Sequence, residues 1–119
     1  MKKVLIVEDA IIIAEDLAAS VQELGYDVVG IVDNAPDAYQ MIEDRKPDVA
    51  LLDINLGTEE DGLDIGKRLK EELKVPFIFI TAFSSKATQD KIMALEPNGY
   101  LVKPFETEEL EAALANALA

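Results

Sequence analysis

The sequence predicts an α/β domain in which five parallel strands form one sheet with helices on both faces. Two observations support this fold class. Five apolar runs of strand length recur along the 119 residues, and they are continuous, which is typical of strands buried on both faces. Amphipathic stretches at helical spacing separate the runs, so strands and helices alternate. Right-handed crossovers then give an open, doubly wound sheet, and the length fits one domain spanning residues 1–119.

Each predicted element has its own signal in the sequence. The strands are KVLIV (3–7), YDVVGIV (26–32), DVALLDI (48–54), PFIFIT (76–81) and GYLV (99–102). The helices are IIIAEDLAASVQEL (11–24), APDAYQMIED (35–44), GLDIGKRLKEEL (62–73), SKATQDKIMAL (85–95) and TEELEAALANAL (107–118). Gly25 is a plausible stop for the first helix, Pro36 suits the first turn of the second, and Thr107 is the expected N-cap of the fifth.

The apolar stripes of the helices differ in strength. The stripe of the first helix consists of Ile13, Leu17, Val21 and Leu24. That of the third helix consists of Ile65, Leu69 and Leu73. Ile11 and Ile12 lie off the first stripe, and we expect them to be exposed. The fourth helix has the thinnest stripe, so we expect it to be the least firmly anchored.

The composition excludes several classes of function. The formal charge is −13, from 11 basic and 24 acidic residues, which argues against direct binding to nucleic acid or to an anionic membrane. With no cysteine and no histidine, structural zinc, thiol chemistry, Ser-His hydrolysis and a phosphohistidine on this chain are excluded. The first apolar run is too short for a signal peptide, and no run spans a bilayer, so we expect a cytoplasmic protein.

Charged and polar residues follow four of the predicted strands. Glu8 and Asp9 come after the first strand, Asp53 ends the third, Thr81 ends the fourth and Lys103 follows the fifth. In an open α/β sheet the carboxyl ends of the strands form the ligand crevice, so these side chains are expected to meet. We interpret Asp33 and Asn34, which directly follow the second strand, as ordinary turn residues.

The chemistry of this set suggests a cation site with a nucleophile. Neighbouring carboxylates raise one another's pKa unless a cation compensates them, and Mg²⁺ prefers oxygen ligands such as those of Glu8, Asp9 and Asp53. An ionised aspartate beside a metal can also attack a phosphoryl group, while Lys103 and Thr81 hold its oxygens. Taken singly, Asp9 could cap a helix, Thr81 could be a strand residue and Lys103 a surface lysine.

Four short motifs in order resemble the receiver domain of bacterial two-component response regulators. They are VED after the first strand, LLDINL around Asp53, FITA with Thr81 and GYLVKPF with Lys103. The resemblance covers the whole chain and implies a flavodoxin-like fold with strand order 2-1-3-4-5. It implies that Asp53 accepts a phosphoryl group from the phosphohistidine of a sensor histidine kinase or histidine phosphotransfer protein. It also implies that Glu8, Asp9, Asp53 and the backbone carbonyl of Asn55 hold Mg²⁺ or Mn²⁺.

The resemblance further implies how the site is used. Lys103 would pair with the phosphoryl oxygens, and the Lys103–Pro104 bond would be cis. Thr81 and Tyr100 would form a switch pair that alters the surface of the fourth helix, fifth strand and fifth helix for a downstream output protein or domain. Since the first helix helps to dock the histidine-bearing partner in this family, we expect Ile11 or Ile12 to contribute. No enzymatic activity beyond Asp phosphorylation and autodephosphorylation is implied, and a homodimer is possible.

The sequence departs from the family pattern in two places. Gly57 replaces the usual proline, and the loop NLGTEEDG is one residue longer and more acidic, so we expect it to be more flexible. Pro97 lies where the family usually has a different run, which could change how the fourth helix ends.

Three alternative functions fit these residues less well. A phosphate-independent interaction module would usually lack the acceptor, the acid pair or the lysine, and none is lost. A phosphatase of the haloacid dehalogenase type places its nucleophile after the first strand, with a second aspartate where this chain has Asn55. A flavodoxin-type cofactor carrier needs a loop that cradles phosphate after the first strand, where this chain has EDAII.

Overall fold

The computed structural model describes residues 1–57, 59–82 and 85–119 and confirms the predicted fold class. All strand pairs are parallel, and the sheet has the order β2-β1-β3-β4-β5. The strands are β1 (Lys3–Val7), β2 (Asp27–Val32), β3 (Val49–Asp53), β4 (Phe77–Thr81) and β5 (Gly99–Val102). The central strands β1, β3 and β4 are almost entirely buried, whereas the edge strands β2 and β5 are partly exposed.

In the part of the chain that the structure describes, five α-helices connect the strands or follow the last one, and the third continues into a π-helical segment, Leu69–Leu73. The helices are α1 (Ile11–Glu23), α2 (Ala35–Arg45), α3 (Gly62–Arg68), α4 (Lys86–Ala94) and α5 (Thr107–Leu118). Their bounds agree with the predicted ones to within a residue or two, except where α3 changes to the wider π-helical turn.

Alternate residues of the central strands form two separate hydrophobic cores, as a sheet covered on both faces requires. Val4 and Ile6 of β1 face the core that α1 and α5 cover. Leu5 and Val7 face the opposite core, covered by α2, α3 and α4. This division is why each strand reads as a continuous apolar run.

Two predicted stripe residues are exposed. Ile13 is 44% exposed, because the buried side of α1 is centred on Ala14, Leu17, Ala18 and Val21. Leu73 is 36% exposed, because the π-helical segment changes the angle between successive side chains and turns it away from Ile65 and Leu69. The expectation that Ile13 and Leu73 belong to the core stripes is therefore wrong.

The helix caps also differ from the predicted ones. Asn34 is the N-cap of α2, with its side-chain oxygen accepting from the amide of Asp37 at 2.9 Å, so it is more than a turn residue. Glu106, one residue before Thr107, is the N-cap of α5 and forms a capping box with Glu109. The amides of Glu109 and Leu110, which we expected Thr107 to help satisfy, donate to the backbone carbonyl of Glu106.

Helix α4 is weakly anchored, as predicted. Ile92 is its one buried residue. The helix ends at Ala94, and Glu96 then takes a left-handed conformation with φ of 49° before Pro97. Proline cannot continue a helix, so the chain leaves α4 here and turns into β5.

Candidate functional site

Three carboxylates meet at the carboxyl ends of the adjacent strands β1 and β3. Glu8 and Asp9 directly follow β1, and Asp53 is the last residue of β3. Each offers an oxygen atom, and these oxygens all lie within 4.8 Å of one another. Asp9 does not cap α1, because the N-cap is Ala10. Its carboxylate is therefore available to the cluster.

Lys103 lies at the same end of the sheet and pairs with the acid cluster. Its Nζ is 3.0 Å from Glu8 Oε1, and the Glu8 side chain is only 4% exposed. The Lys103–Pro104 peptide bond is cis, as the resemblance implies. The backbone amide of Lys103 donates to the carbonyl of Thr81 at 2.8 Å. Thr81 itself is 1% exposed at the end of β4.

The carboxylates strongly affect one another's ionisation. Burial, together with the neighbouring Glu8, raises the pKa of Asp53 to about 7. The same two causes raise the pKa of Asp9. Burial also opposes the ionisation of Glu8, but hydrogen bonds from Asp53 and Lys103 outweigh it and lower the pKa of Glu8. The cluster consequently favours a shared proton or a bound cation.

The donor set of this cluster fits a hard divalent cation. Three carboxylate oxygens converge on one small region, and the sequence contains no cysteine or histidine that would favour a softer metal. Mg²⁺ and Mn²⁺ prefer carboxylate, carbonyl and water ligands. A cation here would offset the repulsion that raises the pKa of Asp53.

The β3–α3 loop, residues 54–61, lies beside the cluster; its Thr58 is outside the described residues. Gly62 closes the base of the loop by donating its amide to the carbonyl of Ile54 at 3.0 Å. A side chain at Gly62 would collide with the carbonyl oxygen of Asp53. Gly57 has φ of 68°, and a Cβ atom there would lie 3.8 Å from Asp9 Oδ2. The start of α3 is therefore held against the residues that follow Asp53, and the loop comes close to Asp9 at Gly57.

Sequence reasoning missed a tether on this loop. The hydroxyl of Tyr39, on α2, donates to Glu60 Oε2 at 2.9 Å. The guanidinium of Arg68, at the end of α3, lies 4.2 Å from the centre of the Tyr39 ring. Tyr39 and Glu60 are 21 residues apart, and nothing in either local pattern predicts that they meet.

Two exposed apolar features flank the cluster. Ile11 and Ile12 are 60% and 73% exposed at the start of α1, as expected. A cavity of about 260 Å³ runs between α1 and α5 and is lined in part by Ile13 and Lys103. Tyr100 of β5 is 36% exposed.

Within the described part of the chain, no helix combines the length and the apolar character that crossing a membrane requires.

Residues 4–115 match the family model described as response regulator receiver domain. Among curated proteins, the transcriptional regulatory protein PdtaR of Mycobacterium tuberculosis is 32% identical over 117 residues, covering 98% of this chain and 57% of that protein. The phyllosphere-induced regulator PhyR of Methylorubrum extorquens is 34% identical, covering 98% of this chain and 43% of that protein. The chain thus spans about half the length of these relatives.

Solved structures give the same result for the fold. The signal receiver domain of a modulated diguanylate cyclase from Desulfovibrio desulfuricans superposes with a TM-score of 0.90 at 36% identity, covering 99% of this chain and 94% of that one. A response regulator structure from Chloroflexus aurantiacus, described as putative, superposes with a TM-score of 0.89 at 29% identity, covering 98% and 97% of the two chains.

Proposed function

Because the chain belongs to the response regulator receiver domain family, we propose that it is a phosphorylation-controlled signalling domain with Asp53 as acceptor. The observation that carries this proposal is the convergence of Glu8, Asp9 and Asp53, with Lys103 paired to Glu8. This group contains a nucleophile, a set of cation ligands and a positive charge for phosphoryl oxygens. A sensor histidine kinase or a histidine phosphotransfer protein would supply the phosphoryl group from a phosphohistidine.

The proposed transfer is a direct displacement at phosphorus. A carboxylate oxygen of Asp53 attacks the phosphorus atom, an O–P bond forms, and the N–P bond of the phosphohistidine breaks with its electron pair returning to the imidazole. Glu8, Asp9, Asp53 and the carbonyl of Asn55 would hold Mg²⁺ or Mn²⁺, which when bound offsets the charge of the phosphoryl oxygens. Autodephosphorylation by water ends the signal, and no other enzymatic activity is proposed.

Lys103 and Thr81 have separate roles in this proposal. Lys103 now pairs with Glu8 at 3.0 Å, and we propose that it pairs with a phosphoryl oxygen once Asp53 is modified. The Thr81 hydroxyl would donate a second hydrogen bond to the phosphoryl group. Both groups then stabilise negative charge that is absent from the unmodified site. Measuring the intact mass of the chain after incubation with Mg²⁺ and acetyl phosphate tests the acceptor role.

We propose that phosphorylation changes the surface formed by α4, β5 and α5. Thr81 is buried at the end of β4, and Tyr100 is partly exposed on the adjacent β5. When Thr81 turns toward the phosphoryl group, the Tyr100 ring can move inward into the vacated space. Helix α4, which buries only Ile92, is the most easily displaced element of this surface. A downstream protein or domain, or a second copy of the chain, would recognise the change.

The exposed start of α1 is the proposed docking point for the phosphohistidine partner. We expect Ile12→Asp to slow phosphotransfer from that partner about tenfold, because it places a charge in an apolar contact. Ile12 is 73% exposed, so the fold should be kept. Phosphorylation by acetyl phosphate, which needs no docking surface, should keep its native rate.

A matched control is Met93→Asp, which adds the same charge at an exposed position of α4. Transfer rates are measured with radiolabelled phosphorylated partner. An unchanged rate for Ile12→Asp would remove α1 from the docking surface. A loss that Met93→Asp reproduces would indicate a general effect of added charge.

Location and partners follow from the same proposal. We place the chain in the cytoplasm, where it would meet the phosphohistidine donor. The charge of −13 argues against direct contact with nucleic acid or an anionic membrane by this chain. A phosphate-independent interaction module is disfavoured because the acceptor, the acid pair and the lysine are all present.

A further inference from the structure

We propose that Tyr39 is a positioning residue for the Asp53 site, acting through Glu60 on the β3–α3 loop. The inference rests on the proposed function, since it concerns the cation that the phosphoryl transfer requires. Among the residues that the structure describes, Tyr39 makes no contact with the carboxylates of Glu8, Asp9 or Asp53. It holds Glu60, in the same loop as Gly57, which lies near Asp9.

The tether joins three elements that are separate in sequence. The Tyr39 hydroxyl of α2 donates to Glu60 Oε2 of the loop at 2.9 Å. Arg68, at the end of α3, lies against the Tyr39 ring at 4.2 Å and also pairs with Glu72 through a 2.9 Å contact. The ring is therefore held from the α3 side by a cation–π contact while its hydroxyl holds the loop.

The hydroxyl is a dependable donor. Burial, followed by the charge of Glu60, raises the pKa of Tyr39 to about 12. The phenol therefore stays protonated at neutral pH, and it can donate to the Glu60 carboxylate there. A hydrogen bond to a charged acceptor is stronger than one between neutral groups.

The contact between Tyr39 and Glu60 adds to the other contacts that hold the described part of the loop, among them the buried side chains of Ile54 and Leu56. Gly62 binds the carbonyl of Ile54 at the base, and Asp61 caps α3 through the amides of Leu63 and Asp64. Between them, Gly57 lies near Asp9. Glu60 is the point at which the acidic side of the loop is attached to α2.

Releasing this attachment should loosen the part of the loop that serves the cation. Asn55, whose carbonyl is the proposed protein ligand beyond the carboxylates, lies in this loop. Cation binding would then have to order the loop as well as occupy the site.

The experiment compares Tyr39→Phe with the native chain by Mg²⁺ calorimetry. Removing the hydroxyl leaves the ring and its contact with Arg68, and it should weaken Mg²⁺ binding roughly three- to tenfold. Phosphorylation by acetyl phosphate should need correspondingly more Mg²⁺ for half-maximal rate, with an unchanged rate at saturating Mg²⁺. Amide hydrogen exchange in the metal-free protein should be faster over residues 54–61.

Matched variants separate positioning from general destabilisation. Tyr26→Phe makes the same change at the opposite end of the sheet and should leave Mg²⁺ binding as it is. Glu60→Gln keeps an acceptor for Tyr39 and should bind Mg²⁺ better than Glu60→Ala. Glu59→Ala controls for the loss of one loop charge. Combining Tyr39→Phe with Glu60→Ala should add little to the effect of Glu60→Ala alone, because the contact between Tyr39 and Glu60 is already lost there.

The outcomes are distinct. A Tyr39→Phe dissociation constant within twofold of the native one, or no Mg²⁺ binding by the native chain, overturns the inference. Equal losses in Tyr39→Phe and Tyr26→Phe also overturn it. If the native chain binds Mg²⁺ but takes up no phosphoryl group, the proposed function fails, while the Mg²⁺ affinities still test the role of Tyr39.

Discussion

Asp53→Asn will take up no phosphoryl group from acetyl phosphate, whereas the native chain will gain one. Asparagine has nearly the same size and shape as aspartate, but its amide oxygen is a poor nucleophile and cannot form a stable acyl phosphate. Asp53 is 8% exposed at the end of β3, so the exchange should not disturb the fold. The intact mass of both proteins, measured after the same incubation with Mg²⁺, gives the result directly.

Asp33→Asn is the matched control for this experiment. Asp33 follows β2, which β1 separates from β3, and it is exposed, so its replacement removes one charge at the same end of the sheet without touching the cluster. It should be phosphorylated like the native chain. Excess chelator should abolish the adduct in both, since Glu8, Asp9 and Asp53 would then lack their cation.

Two results would contradict the acceptor role. An adduct on Asp53→Asn would place the phosphoryl group on another residue, and the mass of proteolytic fragments would locate it. No adduct on a folded native chain, with Mg²⁺ bound, would favour a phosphate-independent module. The convergence of carboxylates would then need a purely structural explanation.

The fold could be predicted from the sequence because its elements are simple in composition. Each central strand lies between two cores, so it appears as an uninterrupted apolar run that no surface strand would show. The strand order, by contrast, came from resemblance to a family. Continuous runs indicate burial on both faces, but they do not say which strand lies next to which.

The position of the site was predictable for a related reason. In a parallel sheet the residues that end the strands lie at one edge. Glu8, Asp53 and Lys103 were therefore expected to lie at the same edge before their contacts were known. The partner of Lys103 was not predictable. Lys103 pairs with Glu8, because a buried carboxylate is stabilised by the nearest positive charge, and its contact with phosphoryl oxygens stays a prediction.

Contacts between distant side chains are where sequence reasoning failed. The bond between Tyr39 and Glu60 depends on how α2 packs beside the β3–α3 loop, and neither residue shows this locally. Ile13 was assigned to the core because its spacing from Leu17 is helical. Its neighbour Ala14 is buried instead, since small residues let α1 lie close to the sheet.

The metal-free native protein will lose stability as the pH rises from 5 to 8, and Asp53→Asn will lose much less. Burial and Glu8 raise the pKa of Asp53 to about 7, while an unfolded aspartate titrates near 3.9. Between these values the folded state keeps a proton that the unfolded state releases. The free energy of unfolding therefore falls as the pH rises, and the loss is complete above pH 7.

The expected difference in unfolding free energy between the native protein and Asp53→Asn is large for the replacement of one side chain. Over the two pH units between 5 and 7, the native protein should lose about 2 to 3 kcal/mol of unfolding free energy. That loss corresponds to roughly 10 °C in melting temperature for a domain of this size. Asp53→Asn should thus melt well above the native protein at pH 8 and close to it at pH 5. Asp33→Asn controls for the reduction of the net charge of −13 and should follow the native profile.

Added Mg²⁺ tests the same physical cause independently. A cation that offsets the repulsion among Glu8, Asp9 and Asp53 should raise the native melting temperature more at pH 8 than at pH 5, where protons compete with it. Asp53→Asn should respond less to Mg²⁺ at either pH. Parallel pH profiles for the native protein and Asp53→Asn without metal would show that Asp53 does not keep a proton in the folded state up to pH 7, and the repulsion that we expect among the carboxylates would be refuted.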